Sequence, residues 1–222
     1  MKPRARAFTL TEYLMAMVVV AIIGAAVAGV AMALSTAYAH SQGFYQYMQN
    51  ARISMLRIQN TARKAKLVTA ATSQDAVFWT GDQNANGLIN LSEVTILSYD
   101  APAKQVKEYR VVFPASMDPM TRGALDGVVP LSTLITVPSA NLLVKTNIYC
   151  QTFVLADDVM YFRLGARPLP PLCKMLTVDL TVGREDNNLQ LRSACALRAD
   201  ATAYVGIGAT GEYVLDKIPT GP

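Results

Sequence analysis

Hydrophobic positions follow two helical patterns in the first third of the chain. Residues 13–34 form an apolar run without a charged side chain. At about 1.5 Å per residue, this run of about 22 residues reaches about 33 Å, enough to cross the hydrocarbon core of a bilayer. From residue 35 to 66 there is no proline, and apolar side chains recur at alternating spacings of four and three, at Phe44, Met48, Ala51, Met55, Ile58, Ala62 and Ala65. Such spacings are typical of one face of a helix, so the pattern predicts one long helix, membrane-spanning first and amphipathic afterwards, over residues 9–66.

Beyond residue 67 the pattern changes to short runs rich in β-branched and aromatic residues. They predict strands at residues 76–80, 94–99, 107–113, 147–155, 175–182 and 189–196. The turn-rich residues 183–188 predict a hairpin between the last two strands. Residues 117–137 are expected to hold a short helix and a loop. A long helix followed by strands predicts an α+β fold, in which residues 67–222 form an antiparallel β domain packed on the amphipathic half of the helix.

Composition and charge narrow the function classes. Hydrophobic residues make up 52% of the chain and charged residues 16%, and the apolar excess is concentrated in residues 13–34. The net charge of +4 comes largely from two clusters that contain no interleaved aromatic residues: Lys2, Arg4 and Arg6, and Arg63, Lys64 and Lys66. This pattern does not favour nucleic-acid binding.

Catalytic motifs are missing from the sequence. The single histidine, His40, lies on the predicted helix, so a Ser-His-Asp or Cys-His site in the β domain is not expected. The sequence also contains no His-Glu-x-x-His motif and no phosphate-binding glycine loop. The paired carboxylates Asp157-Asp158 and Glu185-Asp186 do not indicate a catalytic site, because adjacent carboxylates usually lie on the surface of a turn or point apart on a strand. We therefore expect no enzyme activity.

An ionisable residue stands at the start of the apolar run. Glu12 follows the stretch Arg4-Ala5-Arg6-Ala7-Phe8-Thr9-Leu10-Thr11 and directly precedes the span. A charge within a membrane span costs about 2–3 kcal/mol or more near the bilayer centre. Its presence indicates that Glu12 has a partner.

This N-terminal order of features resembles the prepilin cleavage and methylation motif of type IV pilins and type II secretion pseudopilins. The resemblance implies that residues 1–7 are a basic leader, which prepilin peptidase removes between Ala7 and Phe8. Phe8 would then be the N-methylated mature terminus of a helix over residues 8–66, and Glu12 the fifth mature residue, where the family keeps a glutamate for assembly. The chain departs from the commonest pattern at Ala7, where the family usually has glycine, and at Thr11, where it often has isoleucine.

The resemblance also implies location and partners. Lys2, Arg4 and Arg6 would keep the N-terminus cytoplasmic by the positive-inside rule, with one span in the inner membrane and the β domain in the periplasm. The implied partners are prepilin peptidase, inner-membrane lipid and other pilin or pseudopilin subunits. The run Val77-Phe78-Trp79-Thr80, the polar loop after it and the strand at 94–100 are similar to J-type minor pseudopilins and W-type minor pilins.

Two alternatives remain open at this stage. The chain would be a membrane-anchored periplasmic protein without an assembly role if the glutamate had no partner subunit. It would be an exported enzyme if a signal peptidase cut after Ala39, because Ala37-Tyr38-Ala39 fits a small-x-small site. The apolar run is longer than the about 7–15 residues of a signal peptide, which disfavours this second alternative.

Residues 82–93 match the twelve-residue calcium loop of EF-hand proteins. Oxygen-bearing side chains occupy positions one, three and five, glycine position six and glutamate position twelve. The expected ligands are the side chains of Asp82, Asn84, Asn86 and Glu93 and the backbone carbonyl of Leu88. The flanking segments are predicted strands, and Asn86-Gly87 is by itself a hairpin-turn signal, so a simple turn is the alternative. With only two carboxylates, affinity for Ca²⁺ is expected at about 10⁻⁴–10⁻³ M.

The cysteines do not define a disulfide. Three cysteines allow at most one intramolecular bond. Cys150 and Cys195 lie in predicted strands, and Cys173 lies in a loop after two prolines. All three pairings and three free thiols therefore remain open.

Overall fold

A computed structural model describes residues 9–184, 187–197, 203–209 and 211–215. Helix α1 covers Leu10–Lys64 and is followed by an antiparallel β domain, so the predicted α+β class is confirmed. The helix ends slightly earlier than predicted because Lys66 donates its backbone N–H to Trp79 at 2.8 Å and Leu67 pairs with Trp79 in the first strand. The predicted leader, residues 1–7, and Phe8 lie outside the described residues.

The chain divides into two compact units, residues 1–46 and residues 47–222. In the first unit, every described side chain from residue 9 to 42 is exposed. The helix to which it belongs is the one helix among the described residues with a segment long and apolar enough to cross a membrane. Exposed apolar side chains over this length are suited to a lipid environment, consistent with a membrane anchor.

Five strands of the second unit form one antiparallel sheet in chain order. They are β1 (Leu67–Ala71), β2 (Asp75–Trp79), β3 (Val94–Asp100), β4 (Gln105–Val111) and β5 (Cys150–Ala156). Four of them lie close to predicted strands, whereas β1 falls where no strand was predicted.

A second sheet contains β6 (Val159–Arg167), β7 (Met175–Arg184) and β8 (Asn187–Ala196) in that order. The predicted hairpin between the last two predicted strands is confirmed by the register from Met175 opposite Ala196 to Arg184 opposite Asn187. Strand β6 was not predicted. Two short strands, β9 (Val205–Ile207) and β10 (Tyr213–Leu215), pair separately.

The amphipathic half of α1 packs into the main core. Its buried side chains Ala51, Met55, Ile58 and Ala62 join one apolar cluster with residues from both larger sheets. In β7, Val178, Leu180 and Val182 are buried in this cluster, as their alternation with polar residues predicts.

Three short helices lie between β4 and β5 in the chain, and the second and third of them pack on the opposite face of the five-stranded sheet. These are α2 (Pro119–Leu125), α3 (Leu131–Leu134) and α4 (Val137–Lys145). Leu134, Ala140 and Val144 are buried against residues of the sheet such as Trp79 and Ile96. The region predicted to hold one short helix therefore holds two, together with the start of a third.

Replacing Ile58 by alanine tests the packing of α1. Ile58 is fully buried, whereas Ile53 on the same helix is 48% exposed. We expect Ile58→Ala to destabilise the fold by about 2–5 kcal/mol, because a buried cavity is added to the loss of apolar contacts. The melting temperature of the full chain in detergent micelles should fall by about 4 °C or more. The matched control Ile53→Ala should melt close to the unmodified chain, and equal shifts for the two variants would contradict this packing.

Candidate functional site

Glu12 lies in the first turn of α1, where it caps its own helix. The backbone N–H and the hydroxyl of Thr9 donate to Glu12 Oε2 at 3.0 and 2.9 Å. A glutamate that reaches back three residues to an N-terminal threonine forms half of a capping box. The spacing Thr9-x-x-Glu12 carries this signal in the sequence, although a capping role was not among the predictions for Glu12.

The charge of Glu12 has no basic partner within the described residues. The ion pairs there are Lys107–Asp100, Arg110–Glu108 and Arg192–Asp179, all in the second unit. The side chain is exposed at the end of an apolar helix. The described chain therefore leaves the glutamate accessible to a positive group supplied from elsewhere.

The connection between β2 and β3 contains the predicted cation loop, which begins at Asp82. The two carboxylate oxygens of Asp82 accept hydrogen bonds from Asn86 N–H at 3.1 Å and Gly87 N–H at 2.8 Å. Gly87 has a φ of +76° and Ala85 a φ of +57°. These left-handed residues bend the backbone around the Asp82 carboxylate, as expected of the glycine in the sequence pattern.

The asparagines of the loop form one hydrogen-bonded network. Asn84 Oδ1 accepts from Asn86 N–H at 3.1 Å, and Asn86 Oδ1 accepts from Leu88 N–H at 2.8 Å. The side-chain amides of Asn84 and Asn86 both donate to Asn90 Oδ1, at 3.1 and 2.8 Å. The side chain of Leu88, whose backbone carbonyl is the predicted ligand, is exposed.

Glu93 closes the loop from the inside. Its side chain is almost completely buried, at 1% exposure. Oε1 accepts from Gln83 N–H at 2.7 Å, and Oε2 accepts from Trp79 Nε1–H at 3.2 Å and from Asn90 N–H at 3.1 Å. The structure thus brings the predicted positions at both ends of the loop into one network.

Asn90 and Asp126 belong to this network although sequence reasoning did not identify them. Asn90 Nδ2 donates to the carbonyl of Asp126 at 2.8 Å, and the Asp126 carboxylate accepts from the backbone and the hydroxyl of Ser92 at 2.8 and 2.6 Å. Asn90 occupies position nine of the loop and could have been noted for its oxygen. Asp126 is distant in sequence, so only the fold reveals its contact with the loop.

Acidic residues alone do not mark a metal site in the part of the chain that the structure describes. Among the described residues, no group of three or more histidine, cysteine, aspartate or glutamate side chains is placed to hold a metal ion. The loop contributes two carboxylates, and its remaining candidate ligands are amide and backbone oxygens. Its chemistry is therefore suited to a hard cation rather than to zinc or another thiolate- and imidazole-binding metal.

The cysteines are free thiols in the structure. Cys150 and Cys195 lie in strands and Cys173 in a loop, as predicted. Burial raises the pKa of the Cys173 thiol above its ordinary value. This shift favours the neutral thiol, which is not an effective nucleophile or metal ligand.

Comparisons with family models, curated proteins and solved structures give no significant match.

Proposed function

We propose that this protein is a structural subunit, of the minor type, in a type IV pilus or a type II secretion pseudopilus. The observation that carries the proposal is the order of features at the N-terminus: a basic leader, Ala7-Phe8, Glu12 and then an apolar span. An ordinary membrane anchor requires the span and is oriented by basic residues beside it, but it requires neither the glutamate at the head of the span nor a small residue before Phe8. Helix α1 supports the proposal because a spanning-length apolar segment continues without a break into the amphipathic segment that packs on the sheet.

In this proposal the leader and the span determine location. Prepilin peptidase removes residues 1–7 from the cytoplasmic side, and Phe8 becomes the methylated N-terminus. The helix stays in the inner membrane until assembly, while the β domain folds in the periplasm. Arg4 and Arg6 support this orientation, since basic residues next to a span favour the cytoplasmic side.

Glu12 is proposed to make the assembly contact. When apolar helices of several subunits pack side by side, the Glu12 carboxylate of one subunit pairs with the N-terminal amine of its neighbour. Each charge alone is costly in apolar surroundings, so pairing them stabilises the bundle. A single buried polar contact also fixes the axial offset between helices, as it fixes register in a coiled coil. The absence of a basic partner for Glu12 within the described chain is consistent with a contact between subunits.

Dependence on prepilin peptidase tests this function. We expect the tagged chain, expressed in a bacterium that assembles type IV pili, to enter the sheared filament fraction only when the host peptidase is present. Without the peptidase, the unprocessed chain should stay in the membrane fraction, because its leader blocks the N-terminal amine. Immunoblots of both fractions, with an inner-membrane protein that the peptidase does not process as the loading control, measure the distribution. A distribution unaffected by the peptidase would contradict the proposed function.

A further inference from the structure

The loop between β2 and β3 holds a buried carboxylate without a basic partner. Glu93 is 1% exposed, and the ion pairs among the described residues do not include Glu93 or Asp82. A buried charge is costly unless it is paired with an opposite charge or coordinates a metal. The three hydrogen bonds that Glu93 accepts, from Gln83, Trp79 and Asn90, all come from neutral groups. The negative charge of Glu93 therefore has no counter-charge among the described residues, and a cation bound in the loop would supply one.

Several oxygens in the loop retain capacity for a ligand. A carboxylate or amide oxygen can accept about two hydrogen bonds. Five side-chain oxygens of the loop accept a single hydrogen bond each in the structure. They are both carboxylate oxygens of Asp82, the Oδ1 atoms of Asn84 and Asn86, and Oε1 of Glu93. One acceptor position is therefore free on each of them, at loop positions one, three, five and twelve.

We propose that this loop binds Ca²⁺ through the side chains of Asp82, Asn84, Asn86 and Glu93 and the backbone carbonyl of Leu88. Ca²⁺ takes six to eight oxygen ligands and accepts carboxylate, amide, carbonyl and water oxygens together. The proposal does not depend on filament assembly, since it rests on the loop alone. Two carboxylates give a low ligand charge, so the dissociation constant is expected at about 10⁻⁴–10⁻³ M, as in extracellular modules. Such a site is filled at the Ca²⁺ levels outside the cytoplasm and empty inside it, so in the periplasmic location proposed above it would fill only after export.

Trp79 provides a reporter for binding. Glu93 Oε2 already accepts two hydrogen bonds, of which the 3.2 Å bond from the Trp79 indole is the longer. Glu93 can bind a cation through both oxygens only if Oε2 releases a donor. Trp79 is the single tryptophan of the chain and is buried, so Ca²⁺ binding should change the intrinsic tryptophan fluorescence.

The test uses the full chain in detergent micelles, stripped with chelator and titrated with Ca²⁺ up to 10 mM. We expect a saturable change in Trp79 fluorescence and a heat of binding with the same midpoint, at about 10⁻⁴–10⁻³ M. The melting temperature should also rise, because a ligand that binds only the folded state stabilises it. Mg²⁺ should give a much smaller response, because it requires near-ideal octahedral geometry. No saturable response to Ca²⁺, or an equal response to Mg²⁺, would overturn the proposal.

Matched variants locate the site. Asp82→Asn keeps the size of a partly exposed side chain and removes one ligand charge, so the midpoint for Ca²⁺ should rise at least about tenfold. Asp157→Asn removes a charge from an exposed aspartate outside the loop and should leave the midpoint unchanged. Glu93→Gln tests the inner ligand, and its folding is checked by the melting temperature in chelator. An Asp82→Asn chain that binds like the unmodified protein would show that Ca²⁺ binds elsewhere.

Discussion

Glu12→Ala is expected to leave membrane insertion intact and to reduce filament incorporation at least about tenfold. Insertion is retained because the substitution removes a charge from the head of the span. In the proposed filament, assembly should fall because the N-terminal amine of the neighbouring subunit would be left without its counter-charge. Breaking a buried pair by removing one partner costs about 3–5 kcal/mol. The measurement is the ratio of protein in the sheared filament fraction to protein in the membrane fraction.

The capping contact seen in the structure requires a second variant at this position. Because Glu12 accepts two hydrogen bonds from Thr9, alanine removes both the charge and the cap. Glu12→Gln keeps a capping-box acceptor and removes only the charge. Incorporation of Glu12→Gln should fall nearly as far as that of Glu12→Ala. If Glu12→Gln assembles like the unmodified chain, the charge of Glu12 is not the assembly contact.

Ala7→Trp is expected to prevent leader removal. The family motif has a small residue before the cut, and Ala7 is the small residue directly before Phe8. A tryptophan at this position should not fit a peptidase site shaped for glycine or alanine, so the uncut chain should accumulate in the membrane and stay out of filaments. Electrophoretic mobility and the intact mass of the purified chain measure the removal of residues 1–7.

A second leader variant controls for a general effect of bulk. Ala5→Trp places the same side chain in the leader two residues before Ala7 and should still be processed. Normal processing of Ala7→Trp would place the cleavage site elsewhere. Equal blockage of both variants would contradict a requirement specific to the residue before the cut.

The long helix could be predicted because its signals are strong and local. Residues 13–34 are uniformly apolar, and the stripe through Met55, Ile58 and Ala62 has a regular helical spacing. The structure buries those three side chains in one core. Only the last turn differed, since the helix gives way to β1, where Leu67 pairs with Trp79 of the next strand, and helical periodicity does not reveal this pairing.

The two missed strands lack the alternation that identifies a strand. In β1, Leu67, Val68, Thr69 and Ala70 are all buried because both faces of the sheet are covered. Such a short apolar run after a helix cannot be distinguished from the end of that helix by periodicity alone. In β6, the register shifts between Val159 and Tyr161, which interrupts the period of two.

In the candidate cation loop, too, the local sequence predicted some features, and others depend on contacts between separate strands. Spacing identified Asp82, Asn84, Asn86 and Glu93, and Gly87 adopts the positive φ that the pattern requires. Spacing could not show that Glu93 is buried against Trp79. The burial of Glu93 and its contact with Trp79 depend on the pairing of β2 with β3, which the spacing of the loop residues does not contain.

The mature N-terminus tests the filament proposal most directly. Mass spectrometry of the chain purified from a host with prepilin peptidase should identify N-methylated Phe8 as the first residue. An intact Met1 would indicate a membrane-anchored protein without an assembly role, and His40 as the first residue would indicate export by a signal peptidase. Either of these two results would contradict the account of this protein as a processed filament subunit.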